Sequence, residues 1–402
     1  MTDAAPVLEN RPMAVAATAT TPQLRAGTGY WVSSARWDLF WMFSALWGSA
    51  LCFAAVVALG TQQARVILFT LGGVLAVCHS WSTTYVVIAS PVLREARRRN
   101  RAKFTVAPIA VVAGSLALGY AMAVTGGLPH QFPLSAEQSL WVLYLALFWI
   151  GHFWHFGNQD FGVLSIYRAK AGQTALRDRK VDKAFAVAMM FVIQPCVYFK
   201  SLASSPLSEA VFSFVPVPHE WVAIAAAWAA ATAVGLTVGV ITYELRKPHP
   251  SLPKLIYYLV MLSHPLVLYF LHWNIAFFYL VVYFWSHWLV AIGLVGRIHT
   301  NFQRAAGASP VRAVLRHVTR LGVWAVAAWL FYKSFASFAL FSDGSNGGRY
   351  KELLSAVAPE WAGVVGLIMG AFLAEQLLHY YCDRCLFRFR DPDVRRAVAP
   401  LL

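Results

Sequence analysis

Ten long apolar runs constrain the fold of this 402-residue chain more than any other feature. A run of roughly 17 to 25 apolar residues can cross the hydrocarbon core of a bilayer as one helix. The composition agrees, because only 13% of the residues are charged, whereas a soluble chain carries roughly 25%. The predicted spans lie at about 39–60, 66–90, 104–124, 139–167, 184–200, 219–243, 255–272, 276–296, 321–341 and 361–381. The sequence therefore predicts an all-α, polytopic transmembrane helix bundle of about ten spans.

The basic residues predict the orientation of this bundle. If the N-terminus is cytoplasmic, 28 of the 33 Lys and Arg residues fall in cytoplasmic segments. Such asymmetry is the positive-inside rule, so we expect both termini in the cytoplasm and a multi-pass protein of the bacterial inner membrane. It also accounts for the net charge of +15 without a nucleic-acid partner. The basic loops are expected to contact anionic lipid headgroups.

The chain divides into three predicted parts. Residues 1–35 are rich in Ala, Thr and Pro and are expected to form a disordered cytoplasmic tail. Residues 36–384 form the transmembrane helical domain, and residues 385–402 form a basic cytoplasmic tail.

Four predicted spans each carry a histidine near the middle of the membrane, namely His79, His155, His264 and His287. At about 1.5 Å per residue, all four lie within roughly 14 to 18 Å of the cytoplasmic boundary. A polar side chain in hydrocarbon is costly and normally faces a partner inside the bundle. A single such histidine is more often an interhelical hydrogen-bond partner, but four at one depth favour a metal site. Neutral imidazoles suit Fe(II), with Zn or Cu as alternatives.

Span four carries further polar residues beside His155. His152, His155 and Gln159 share one helix face, because they are spaced i, i+3 and i+7. We predict that His152 is a fifth ligand or a proton donor. Asp160 is expected to accept a hydrogen bond from the ring N–H of a ligating histidine and so to orient that ring. We also expect a His or Arg partner for the charge of Asp160.

The end of the last span offers a second, weaker pattern. His379, Cys382 and Cys385 have three-residue spacing, and a tyrosine pair follows His379 directly. Tyrosines and arginines at a span end are typical of an interfacial anchor, which is the interpretation we prefer. Glu375 is buried if the span continues through it, and a clustered histidine is one candidate partner.

Three short patches resemble a known family. They are Cys78-His79-Ser80-Trp81, His155-Phe156-Gly157-x-x-Asp160 and Tyr283-Phe284-Trp285-Ser286-His287. They are similar to segments of the membrane-embedded bacterial beta-carotene dioxygenases of the Brp/Blh type. The resemblance implies iron held by histidines from several spans and cleavage of a polyene with O2. Ala291 stands where that family has a second late histidine, and His264 is the expected substitute.

These observations favour an integral membrane, His-ligated non-haem metal oxygenase or oxidoreductase acting on a lipid-soluble substrate. One alternative is a proton-coupled transporter in which the histidines, Asp160 and Glu375 form a relay. Another is a membrane scaffold without chemistry. A tightly bound, stoichiometric metal would separate the first hypothesis from the other two.

Overall fold

A computed structural model describes residues 30–125, 139–203, 217–270, 273–339, 359–387 and 391–402. In this part of the chain all regular structure is helical, which confirms the expected all-α class. Short π-helical turns occupy Ala102–Val106 and Ala188–Ile193. The α-helices are α1 (Ala35–Trp41), α2 (Ser44–Leu59), α3 (Thr61–Ile88), α4 (Arg94–Arg99), α5 (Ala107–Thr125), α6 (Ser139–Lys170), α7 (Leu176–Val187), α8 (Gln194–Ala203), α9 (His219–Leu245), α10 (Leu252–Phe270), α11 (Trp273–Ala305), α12 (Pro310–Ala339), α13 (Ala362–Leu386) and α14 (Pro392–Val398).

Six helical stretches within the described ranges are long and apolar enough to cross a membrane, fewer than the ten spans predicted. A seventh is added if α1 and α2, which are bent by 54° at their junction, count as one span. Helices α6, α11 and α12 are each at least 30 residues long but are not among these six stretches. The first two carry buried histidines, and α12 begins with a basic segment. The described helices are compatible with a multi-pass membrane protein.

The outer faces of the helices are strongly apolar. Val57, Trp228 and Phe270 are each more than 70% exposed, and many other large apolar side chains share this surface. Water would make such a surface prone to association, whereas lipid chains would cover it without cost. The exposure pattern is therefore typical of helices that face a bilayer.

Helices α5 and α13 touch through glycines. A Cβ on Gly119 would overlap the carbonyl of Gly366, and a Cβ on Gly370 would lie 2.6 Å from the carbonyl oxygen of Ser115. Small residues four positions apart let membrane helices approach at the backbone. This contact fixes α13 against the rest of the bundle.

Buried charges join α7, α9 and α10 at the end that carries the basic loops. The Lys254 ammonium lies 2.9 Å from Asp182 and 3.0 Å from Glu244, and all three side chains are fully buried. Tyr258 donates a further hydrogen bond to Asp182 at 2.6 Å. Separating any one of these partners would leave an uncompensated buried charge, so the pairs hold the three helix ends together.

Both terminal segments pack on the bundle where they are described. Residues 1–29 of the predicted tail lie outside the described residues, but the amides of Val32 and Ser33 donate to Asp38. At the other end, α13 continues to Leu386 and α14 buries Val394 in the core. The packed helical structure thus extends beyond the predicted limits of the membrane domain at 36 and 384.

Candidate metal centre

Three of the four predicted metal ligands meet in the interior. His79 of α3, His155 of α6 and His287 of α11 each offer a ring nitrogen within 4.8 Å of the others. The Nε2 atoms of His155 and His287 are 3.0 Å apart. Each side chain is at most 5% exposed. Three parts of the chain that are distant in sequence therefore place imidazoles around one buried position.

Helix α13 adds two residues to this group. The His379 ring lies 5.1 Å from the ring of His79 and 5.0 Å from that of His155. One turn later, Asp383 Oδ2 lies 3.8 Å from His79 Nε2 and 3.7 Å from His155 Nε2. The interpretation of His379 as part of an interfacial anchor was wrong, because it is buried within the cluster. Asp383 was not among the predicted site residues.

Several atoms of the group lack hydrogen bonds. Among the described residues, neither ring nitrogen of His79 and neither carboxylate oxygen of Asp383 has a hydrogen-bond partner. Thr83 lies near Asp383, but its hydroxyl points to the carbonyls of His79 and Ser80 at 3.3 Å. A buried polar group without a partner costs roughly 1–3 kcal/mol. A cation bound here would remove that cost, so this donor set fits a metal ion.

A backbone hydrogen bond orients the imidazole of His379, and a side-chain bond connects two of the helices beside it. His379 Nδ1 lies 3.3 Å from the carbonyl oxygen of Glu375, so a proton on Nδ1 leaves Nε2 with a lone pair. Metal-binding histidines commonly have such a carbonyl partner. On α6, the Gln159 amide donates to the carbonyl of His287 at 2.8 Å, which ties α6 to α11 beside the group.

Aromatic rings cover two of the imidazoles. Phe156 stacks on His287 with centroids 3.6 Å apart and planes within 8°. Tyr380 stacks on His155 at 4.5 Å and 24°. These rings fix the orientation of the imidazoles and exclude water from the group.

Two predicted histidines lie beside the group rather than in it. His152 Nδ1 is 3.1 Å from the hydroxyl of Tyr380. The ring of His264 packs at 4.0 Å against Tyr283. The structure therefore brings three of the four predicted ligands together and leaves His264 outside that trio.

The two acids of the predicted relay, Asp160 and Glu375, have other partners than expected. Asp160 accepts a hydrogen bond from the hydroxyl of Tyr257 at 2.5 Å, in place of the His or Arg that we predicted. The Glu375 carboxylate accepts a hydrogen bond from Gln376 rather than from a clustered imidazole, and Ser80 lies near it with its hydroxyl donating to the carbonyl of Ala76. Its connection to the group is through its backbone carbonyl.

A pocket lies beside the group between α6, α8 and α11. Its walls include His152 and Phe156 of α6, Gln194 and Tyr198 of α8, and Tyr283 of α11. Because Phe156 stacks directly on His287, one aromatic ring separates the pocket from the histidine group.

No family model matches the chain, and neither a curated protein nor a solved structure shows significant similarity to it. The resemblance of the three patches to Brp/Blh enzymes stays a prediction. The geometry of the histidine group is accordingly the basis for assigning a function.

Proposed function

We propose that the protein is a ten-span protein of the bacterial inner membrane that binds one Fe(II) ion and oxidises a lipid-soluble substrate. Both termini are cytoplasmic in this proposal, and the basic loops contact anionic headgroups. The observation that supports it is the buried trio of imidazoles, beside which lies a carboxylate whose oxygens have no hydrogen-bond partner among the described residues. The proposed ligands are His79, His155, His287, His379 and Asp383.

The separations in the group suit ligands of one metal, and the shortest of them, 3.0 Å, is also a hydrogen-bond distance. Nitrogen and oxygen ligands at about 2.0–2.2 Å from one metal lie roughly 3–4 Å from each other. The Nε2 atoms of His155 and His287 are 3.0 Å apart, and Asp383 lies 3.7 Å from His155 Nε2. Hydrogen bonds within the trio would not account for the adjacent carboxylate of Asp383, whose oxygens have no hydrogen-bond partner among the described residues.

The donor types favour iron. Imidazoles with a single carboxylate are typical of non-haem Fe(II) oxygenases, whereas Mg²⁺ and Ca²⁺ prefer sites built of oxygen. When bound, iron would supply redox chemistry on O2 or on a substrate oxygen. The three patches that resemble Brp/Blh enzymes support the same metal.

The chain itself orients the ligands and holds a proton nearby. Tyr380 donates to Gln376 Oε1 at 3.3 Å, so His152 Nδ1 is the donor in its bond to Tyr380. His152 then holds its proton at Nδ1, at the wall of the pocket. This position agrees with a proton-donor role for His152 rather than a ligand role.

Metal analysis tests the proposal. Protein purified in detergent without chelators should contain about one iron per chain, and His79→Ala and His287→Ala should deplete it. His299→Ala is the matched control, because His299 is also 4% exposed but packs against Tyr85 and His317. Wild-type protein without a stoichiometric transition metal would overturn the proposal in favour of the proton-relay alternative.

Reporter fusions test the orientation separately. Fusions after Arg99, Lys180 and Arg316 should report the cytoplasm, and fusions near Gly127 and Asn346 should report the periplasm. A cytoplasmic signal at Gly127 would contradict the predicted pairing of the spans.

A further inference from the structure

Positive charge collects around one tyrosine in the last turns of α3. The Arg320 guanidinium of α12 lies 5.3 Å from the centre of the Tyr85 ring. Arg97 of α4 lies close enough to Tyr85 for the two side chains to interact electrostatically, and Arg94 adds a like charge near Arg97. Two arginines that are distant in sequence therefore meet at one aromatic ring.

The packing of α12 fixes the position of Arg320. Three residues before it, the ring of His317 stacks on His299 of α11 with centroids 5.8 Å apart and planes within 28°. Directly after it, the carbonyl oxygen of Leu321 accepts a hydrogen bond from the Cys78 thiol of α3 at 3.8 Å. The backbone at Arg320 is thus held against both α11 and α3.

A backbone contact fixes the Arg97 side chain. Arg97 is half-buried, and its Nη1 donates to the carbonyl oxygen of Val87 at 3.1 Å. This carbonyl belongs to the last turn of α3, where a helix leaves carbonyl groups without partners in the helix itself. A guanidinium carries five N–H donors, so this bond leaves others that are available to an anion.

No carboxylate neutralises these two arginines. Arg99, two residues after Arg97, pairs with Glu95, but neither Arg97 nor Arg320 forms an ion pair with any described residue. Like charges brought together repel each other, and an anion between them would offset that repulsion. A phosphate suits the position, because guanidinium groups bind phosphate oxygens through paired hydrogen bonds.

The surface on the membrane side of this ring is apolar. In the predicted topology, Tyr85 lies just before the cytoplasmic end of its span, and Arg320 directly precedes the start of another. One turn deeper on the same helix faces, Trp81 of α3 is 36% exposed and Val323 of α12 is 62% exposed. A phosphate bound at the ring would therefore lie at headgroup depth, above helix surface that suits acyl chains.

We propose that Arg97 and Arg320 bind the phosphate of one acidic phospholipid at the Tyr85 ring, with its acyl chains in the bilayer beside α3 and α12. A zwitterionic lipid fits less well, because its ammonium would be placed beside arginines that have no acid partner among the described residues. Basic sites between membrane helices on the cytoplasmic side bind anionic headgroups in this way. The inference rests on the proposed function, which places this end of the bundle in the cytoplasmic leaflet.

Native mass spectrometry of the full-length protein in detergent tests this site. Dioleoyl phosphatidylglycerol and dioleoyl phosphatidylcholine, offered at equal concentration, have the same acyl chains and differ in net charge. The protein should retain one phosphatidylglycerol in preference to phosphatidylcholine. Arg97→Gln and Arg320→Gln should each weaken phosphatidylglycerol binding about fivefold, and the double variant about 25-fold, because each removes one charge from the site.

Arg98→Gln and Arg316→Gln are the control variants. Both residues are exposed and lie on the same two helices as the site arginines, α4 and α12. Their substitution should weaken binding less than about twofold, because exposed charges outside the site are screened. An equal loss in control and site variants, or a wild-type protein without a preference for phosphatidylglycerol, would overturn the assignment.

Glycerol 1-phosphate separates a lipid from a free phosphate. It offers the same kind of phosphate without acyl chains, so at the concentration of the lipid it should not displace phosphatidylglycerol. Displacement would show a site for soluble phosphates and would overturn the lipid assignment.

Iron content and the reporter fusions keep this proposal separate from the proposed function. Arg320→Gln should keep its iron, because Arg320 is not a proposed ligand. Iron-containing protein without the lipid preference overturns the lipid site alone. An arginine-dependent preference in protein without iron, or with a periplasmic signal after Arg316, overturns the proposed function alone, because lipid binding in detergent requires neither iron nor a given orientation.

Discussion

Replacing Asp383 by Asn distinguishes a metal ligand from an ion-pair partner. Asp383 Oδ2 lies within 3.8 Å of the Nε2 atoms of both His79 and His155. That position suits a carboxylate that shares a cation with the two imidazoles. It would equally suit a carboxylate that holds a protonated imidazole in a proton relay. The Asn side chain has nearly the same shape but carries no charge.

The two roles predict different energies. As a ligand, Asp383 contributes little to the metal-free protein because neither oxygen has a hydrogen bond to lose, and we expect its stability to change by less than about 1 kcal/mol. Iron should bind Asp383→Asn at least 10- to 100-fold more weakly, the loss typical for partners of ligands. With iron in excess, that weaker binding removes about 1.4–2.8 kcal/mol of metal-dependent stability. Breaking a buried ion pair would instead cost about 3–5 kcal/mol without any metal.

The assay is unfolding in detergent with and without iron. Wild-type and Asp383→Asn protein are freed of metal with a chelator, and half of each sample is reloaded anaerobically with Fe(II). Helix loss is followed by circular dichroism as denaturing detergent is added, and iron affinity is titrated in parallel. A metal-free variant that is several kcal/mol less stable, with unchanged iron affinity, would refute the ligand role.

Four further predictions concern the surroundings of the centre and the end of the chain. Gln159→Met should weaken iron binding about tenfold because it removes the bond to the His287 carbonyl, whereas Asp160→Asn should leave iron titrations unchanged because Asp160 bonds to a tyrosine. Gly370→Leu should lower the unfolding midpoint by overpacking the contact between α5 and α13, at a cost of about 1–3 kcal/mol or more. At the end of the chain, burial opposes ionisation of Asp391, but the 2.6 Å bond from Lys103 holds its pKa below the usual value. This bond should therefore stabilise α14 at neutral pH and be lost as the pH falls below about 4, which amide exchange in α14 would detect.

Each of these predictions has a defined control. Gly235→Leu should be neutral, because Gly235 is exposed and a Cβ there would meet nothing within 4 Å. If both glycine variants unfold alike, the helix contact is not the cause. An Asp160→Asn variant that loses iron would show that the tyrosine bond positions a ligand. Protection of α14 that does not change between pH 7 and pH 3 would refute the role of Asp391.

The sequence predicts the helices well because their signal is local. The apolar runs reflect the number of residues needed to cross a bilayer, and nothing in the folded structure is needed to recognise them. Boundaries are harder, since apolar residues such as Leu386 can continue a helix beyond a predicted end. The predicted last span ended at residue 381, which set His379 at the interface. Five more helical residues place it two turns inside the helix, at the level of the group.

The ligand set could be predicted only in part because depth and direction are separate quantities. Counting residues along a span gives depth, and it correctly indicated that His79, His155 and His287 can meet. The count does not give the rotation of each helix about its axis, which decides where a side chain points. His264 therefore has the same predicted depth as the other three histidines, but its ring packs against Tyr283. A four-residue spacing was the available signal for α13, because it puts His379 and Asp383 on one helix face.

Assembly of the centre depends on contacts far from it. His79 and Asp383 are about three-quarters of the chain apart, so no short segment can form the site alone. Helix α13 supplies both His379 and Asp383, and its glycine contact with α5 lies nearer the start of the same helix. Because that contact involves backbone and small residues only, it can form without metal and hold the two side chains in place. An ion bound as we propose would meet ligands that are already close together, and its binding energy would satisfy unbonded polar atoms rather than bring helices together.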